Sequence, residues 1–125
     1  MPVSVAYLPQ RRTVVIVATG SIAIDDLGCQ SPHTIELLRQ HDATRMLVDY
    51  RDAQLGVSTM DVYALPDRYD ALGLSRHVRI AVVLPQGLEN SELFDFYEDV
   101  THNRGFMTRL FRSPEEAQRW LESED

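Results

Sequence analysis

A chain of 125 residues with 19 acidic and 12 basic side chains carries a formal charge of −7, which excludes the basic stripe that a phosphate-backbone partner needs and argues against nucleic acid. Every basic side chain is Arg, so Schiff-base chemistry, pyridoxal attachment and a lysine-bearing P-loop are ruled out. The length fits one domain over residues 1–125, long enough to bury about two-thirds of the surface exposed by the unfolded chain.

Residues 3–8 alternate Val3, Val5 and Tyr7 against Ser4, Ala6 and Leu8, and a turn over 9–12 leads into the unbroken run Val14-Val-Ile-Val-Ala18. This predicts a half-exposed strand followed by a fully buried one. Residues 20–28 read as a connection, and Ser31-Pro32 as an N-cap with proline in the first turn, giving a helix to about His41. Arg45-Met-Leu-Val-Asp49 reads as a short buried strand ending in an acid. A loop then carries the chain to Val57-Ser58-Thr59-Met60-Asp61, where a hydroxyl pair stands at the mouth of a helix over residues 58–73. Pro66 should kink or split that helix, because it lacks an N–H and its ring clashes with the preceding turn, and Gly73 should end it.

Arg79-Ile-Ala-Val-Val-Leu84 is a second buried strand. Leu93, Phe96, Tyr97 and Val100 follow at i, i+3, i+4 and i+7, one apolar helical face. Gly105 supplies a left-handed stop, and residues 106–111 form a strand whose Arg109 suits an edge. Ser113-Pro-Glu-Glu116 is a capping box opening a last helix that buries Ala117, Trp120 and Leu121. The expected fold is α/β, a single mixed, mostly parallel five-stranded sheet with about four helices. Its first strand runs antiparallel, and the first and fifth strands form the edges.

Cys29 is the only cysteine, so there is no internal disulfide, and the chain suits a reducing cytoplasm. No export signal or run of about 18 apolar residues is visible. Cys29 and His33 could pair a thiol with a base near a helix start. Asp95, Asp99 and His102 could present metal ligands on one helix side, although a solvated acidic face that also includes Glu92 and Glu98 explains them. Asp49, at the carboxyl end of a strand, could act as an acid or cap local N–H groups. No nucleophile, base and oxyanion set can be assembled, so a non-enzymatic role without cofactor or metal is expected.

The ordered pattern resembles the STAS domain, the fold of bacterial anti-sigma-factor antagonists, and more closely the SpoIIAA-like proteins grouped with the STAS and Sec14 (CRAL-TRIO) folds. It is carried over residues 13–121 by Met46-Leu-Val-Asp49 with Arg51-Asp-Ala53, Arg79-Ile-Ala-Val-Val-Leu-Pro85, Phe96-Tyr-Glu-Asp-Val-Thr-His-Asn-Arg-Gly105 and Ser113-Pro-Glu-Glu-Ala-Gln-Arg-Trp-Leu121. In the antagonists an Asp-Ser-Ser-Gly loop follows the strand, and a partner kinase phosphorylates its first serine. Those four positions fall on Val57, Ser58, Thr59 and Met60, so the hydroxyls remain while the acid and the glycine do not.

The resemblance implies a regulatory module with a protein partner and Ser58 or Thr59 as phospho-acceptor. Asp49, Arg51, Asp61, Tyr63, Pro66 and Tyr69 then form its partner or ligand surface. The Sec14-like side implies instead an apolar small molecule or lipid held beneath the broken helix, in a carrier or sensor that could contact a membrane. The apolar residues Met60, Val62, Tyr63, Leu65, Tyr69, Leu72 and Leu74 of that segment could also serve a homodimer.

Overall fold

In the computed structural model, residues 2–123 are described, apart from the side chains of residues 27–30. The elements run β1 (Val3–Leu8), β2 (Thr13–Ile22), α1 (Ile24–Gln40), β3 (Arg45–Leu55), α2 (Thr59–Leu72), β4 (Arg79–Val83), α3 (Glu92–Asn103), β5 (Met107–Phe111) and α4 (Pro114–Glu122). The sheet order is β1-β2-β3-β4-β5. β1 pairs antiparallel with β2, and the remaining pairs are parallel. This is the expected mixed sheet, with the two polar-alternating strands at its edges.

Side chains alternate across the sheet with period 2, and each face takes one set. Val14, Met46, Val48, Ile80 and Val82 face forward into the main core with Ile35 and Leu38 of α1 and Phe94 of α3; Tyr69 and Leu72 of α2 pack against that core. Leu47, Ala81 and Val83 face backward onto Ala117 and Leu121 of α4. Three helices thus cover the front and one covers the β3–β5 part of the back.

The structure corrects several expected boundaries. β2 continues through Gly20, whose φ is +77°, and opposite Val17 to Thr19 the partner strand β3 carries one extra residue between Asp49 and Asp52, a bulge in the ladder. α1 starts seven residues before Ser31, because the Asp26 carboxylate accepts the Ala23 N–H at 2.8 Å and closes the first turn there. Pro32 lies inside α1 on its exposed side, where the carbonyl it leaves unpaired can take water.

β3 is 11 residues long and does not stop at Asp49. Its ladder with β4 ends at Asp49, but its ladder with β2 runs on to Leu55. Residues 50–55 of the expected loop between Asp49 and Val57 are therefore strand. α2 is continuous from Thr59 to Leu72 through Pro66. The buried Pro66 ring packs in the interior, and that burial offsets the missing hydrogen bond, so no broken element lifts from the sheet. On α3 the buried residues are Phe94 and Thr101, one step round from the predicted stripe. On α4, Gln118 is buried and Trp120 is half-exposed.

Gly73 caps α2 in the left-handed region at φ +80°, and its N–H donates to the Asp70 carbonyl at 3.1 Å while Leu74 N–H reaches the Tyr69 carbonyl at 2.9 Å. A Cβ at this position would meet no backbone within 4 Å, so strain alone sets the cost. Gly73→Ala should lower stability by about 1–2 kcal/mol, measurable as a shift in the urea midpoint with an unchanged slope.

Candidate functional site

Ser58 has extended backbone at φ −90° and ψ 166° and caps α2. Its Oγ accepts the Asp61 N–H at 3.1 Å, and the Asp61 carboxylate accepts the Ser58 N–H at 3.0 Å. This reciprocal box satisfies two N–H groups that the helix itself leaves unpaired. Ser58 and Thr59 are both exposed. Beside them Met60 is 76 % and Tyr63 63 % exposed, the two most exposed large apolar side chains described. The opening of α2 therefore presents two hydroxyls and two apolar side chains to solvent on a rigid backbone.

The opposite side of the same helix faces inward. Val62 and Pro66 are buried, and Leu65, Tyr69 and Leu72 border a cavity of about 120 Å³ between α2, the front of the sheet and α3. Tyr50 of β3 and Tyr97 of α3 border it too. The Tyr69 and Tyr97 hydroxyls lie 2.8 Å apart and share one hydrogen bond. Tyr69 meets Phe106 edge-on at 5.4 Å, and Tyr50 tilts against Phe94 at 6.0 Å. Sequence reading placed Tyr97 on an apolar face and made nothing of Tyr50. The alternation Met46, Val48, Tyr50 could have pointed Tyr50 to the same face as the core.

Burial pushes the Tyr69 phenol up to about 12, partly offset by the bond from Tyr97. Burial also raises Tyr50, with the Tyr69 phenol adding to the effect, and raises Tyr97, where Tyr69 and Tyr50 both contribute. Above the ordinary tyrosine value of 10 the unfolded chain loses these protons while the folded chain keeps them. Stability should therefore hold up to about pH 10 and decline between pH 10 and 12. Tyr69→Phe should make that decline shallower in denaturant titrations at stepped pH.

Asp49 and Arg51 occupy the other face. They share the β3 alternation of Leu47, whose side chain packs toward α4, so the structure separates them from Tyr63, Pro66 and Tyr69. The expected single surface is thus two, because Asp49 and Arg51 lie on the side of the sheet covered by α4 and α2 packs on the other. The Asp49 carboxylate accepts from Arg51 Nε at 3.0 Å, from Arg51 Nη2 at 2.9 Å and from the Arg51 backbone N–H at 3.0 Å. Burial raises the Asp49 pKa, but the Arg51 hydrogen bonds and charge outweigh it and hold the carboxyl below its ordinary value.

Depression of this kind stabilises the fold above the ordinary carboxylate pKa, and the contribution is lost as pH falls through the folded value. Asp49→Asn should lower stability near neutral pH. The gap between variant and wild type should close on acidification, as read by thermal melts from pH 7 downward.

The remaining candidates do not converge. The Cys29 side chain lies outside the described residues. Among the described residues no three His, Cys, Asp or Glu side chains come together as a metal site. His102 Nε2 lies 2.5 Å from the Thr108 carbonyl oxygen, Ser91 Oγ donates to Asp95 at 3.0 Å, and Glu98 accepts the Leu110 N–H at 3.2 Å. Two of these contacts tie α3 to β5. No described helix is long and apolar enough to cross a membrane.

The sequence matches no protein-family model and no curated protein. Solved structures do match. One is an uncharacterised DUF3478-family protein with a SpoIIAA-like fold from Shewanella loihica PV-4, at TM-score 0.59 and 18 % identity, covering 95 % of this chain and 91 % of that one. Another is the anti-sigma factor antagonist SpoIIAA in its unphosphorylated form, at TM-score 0.58 and 16 % identity over 97 % and 98 % of the two chains. This chain has the SpoIIAA-like fold.

The Bacillus cell fate determinant SpoIIAA in its phosphorylated form also matches, at TM-score 0.54 and 17 % identity over 96 % and 99 %. Coverage is nearly complete both ways, so the SpoIIAA-like fold accounts for β1 and α4 as well as the middle of the chain. Within it, the present chain carries Val57 before Ser58 and Met60 after Thr59, an apolar frame around the exposed hydroxyls.

Proposed function

We propose that the protein is a non-enzymatic, cytoplasmic regulatory module that acts by binding another protein through the opening of α2, with Ser58 and Thr59 as its phospho-acceptor candidates. The observation that carries this reading is the exposed hydroxyl pair on a capped helix beside exposed Met60 and Tyr63. It is supported by the SpoIIAA-like fold, which includes a protein solved in unphosphorylated and phosphorylated forms.

A phosphate on Ser58 would sit at the positive end of the helix and leave the fold intact. Against a partner carboxylate about 4 Å away, each added charge costs on the order of 4 kcal/mol at an effective dielectric of 20, roughly a thousandfold in affinity. The modification would thus act on the interface. Asp61 completes the cap, and Tyr63 supplies an aromatic ring of the kind that anchors protein contacts. Asp49 and Arg51, on the back of the sheet, play no part in this surface.

A second reading, a carrier or sensor of an apolar small molecule or lipid, is favoured by the cavity beneath α2. Native mass spectrometry of protein from its own host separates the two: a phosphate increment supports the switch and a bound organic molecule supports the carrier. A homodimer through Met60 and Tyr63 would appear in the same spectrum as a doubled mass.

Aspartate caps helices about as well as serine. Ser58→Asp should therefore leave the melting temperature within about 2 °C, since it changes stability by little, while binding to a partner captured with wild-type protein falls by two to three orders of magnitude. Unchanged partner affinity would remove Ser58 from the interface.

A further inference from the structure

The cavity beneath α2 has a chemistry more specific than "apolar". Its wall is almost entirely carbon, from residues such as Ile35, Val48, Leu65 and Phe94, and no Arg or His stands among the lining side chains. The polar exceptions are hydroxyls. Ser31 and Thr34 line it from α1 and are already partnered. The three tyrosines differ. Tyr69 and Tyr97 share a single hydrogen bond, so whichever hydroxyl accepts keeps its own hydrogen undonated. Tyr50 makes no hydrogen bond among the described residues, and its phenol is close enough to raise the pKa of Tyr97. Two O–H donors are therefore left without a hydrogen-bond acceptor among the described residues.

Size narrows the occupant. An apolar cavity of roughly 150 Å³ takes a benzene molecule, and drug-sized ligands occupy roughly 300 Å³ or more. At about 120 Å³ this cavity holds one ring or a short branched chain. A lipid tail would exceed this volume. Charge narrows it further, because a carboxylate buried here would meet no cation to offset several kcal/mol of lost hydration.

We infer that the cavity is a binding site for a small, uncharged, one-ring-sized molecule carrying an oxygen acceptor, held by the Tyr50 hydroxyl and the Tyr69–Tyr97 pair. The inference rests on the second reading above and replaces its lipid with a smaller and more polar class. The apolar wall supplies affinity, and the phenol hydrogens select for the oxygen. A site with unpaired donors binds an isostere that lacks the acceptor more weakly, while the apolar wall still holds its ring.

Three probes of similar size test this: phenol, toluene and benzoate, titrated into the ¹⁵N-labelled full chain with amide shifts followed by NMR. Phenol is expected to bind saturably and to shift amides around Tyr50, Tyr69 and Tyr97, and benzoate at equal concentration to leave them unmoved. Tyr50→Phe, which keeps the ring and its contact with Phe94, should weaken phenol about fivefold or more and leave toluene unchanged. If benzoate binds as tightly as phenol, or Tyr50→Phe alters neither ligand, the inference is wrong while toluene binding keeps the pocket itself. If neither phenol nor toluene binds, the inference and the carrier reading fall together.

Discussion

The β3–β4 pair must be covered on both faces. Parallel strands at the centre of a sheet expose apolar side chains alternately forward and backward, and neither set can be left to water. Met46, Val48, Ile80 and Val82 require a front layer, and Leu47, Ala81 and Val83 require a back one. Everything of functional interest follows from how these two demands are met. Three helices of unequal length close the front incompletely and leave the tyrosine-bordered cavity, whereas the single helix α4 closes the back tightly over small residues such as Ala81 and Ala117. The same alternation sends Asp49 and Arg51 backward, where a bidentate pair at the end of the β3–β4 ladder satisfies the carboxylate and a backbone N–H together.

α2 carries both candidate surfaces, one on each side. Its outer side opens on Ser58, Thr59, Met60 and Tyr63, and its inner side places Val62, Pro66 and Tyr69 against the core. Both ends are held. The capping box fixes the beginning, and the left-handed Gly73 fixes the end. Near that end Asp70 pairs with Arg76 and Arg104, Arg104 also reaches Asp67 at 2.8 Å, and the Arg76 guanidinium lies 4.0 Å over the Phe106 ring. Exposed ion pairs contribute little one at a time, but this cluster joins α2 to the end of α3 and aligns Tyr69 with Tyr97. A helix so tethered presents a fixed surface, which suits recognition of a partner more than the opening of a lid.

Much of this was legible from local pattern. The alternating and solid apolar runs marked the edge and central strands, and Ser58 with Asp61, Ser113 with Pro114, Gly73 and Gly105 marked helix ends that the structure places where expected. The errors share a cause. Pro32 was read as a helix start and Pro66 as a kink or split, yet each sits inside a continuous helix, because docking of the helix on the sheet outweighs the loss of one hydrogen bond. β3 was read as ending at Asp49, yet pairing with β2 carries it six residues further. In each case a distant element decided what the local residues left balanced.

Charge, the absence of lysine, strand alternation and helix caps were determined by the sequence itself, since each depends on atoms within a few residues or on composition alone. Which residues meet across the fold was decided by tertiary structure. The joining of Tyr50, Tyr69 and Tyr97 needs β3, α2 and α3 in one layer. The separation of Asp49 and Arg51 from α2 needs the sheet between them. The cavity volume is a remainder left by imperfect packing of elements far apart in the chain, a quantity that no local pattern of residues encodes.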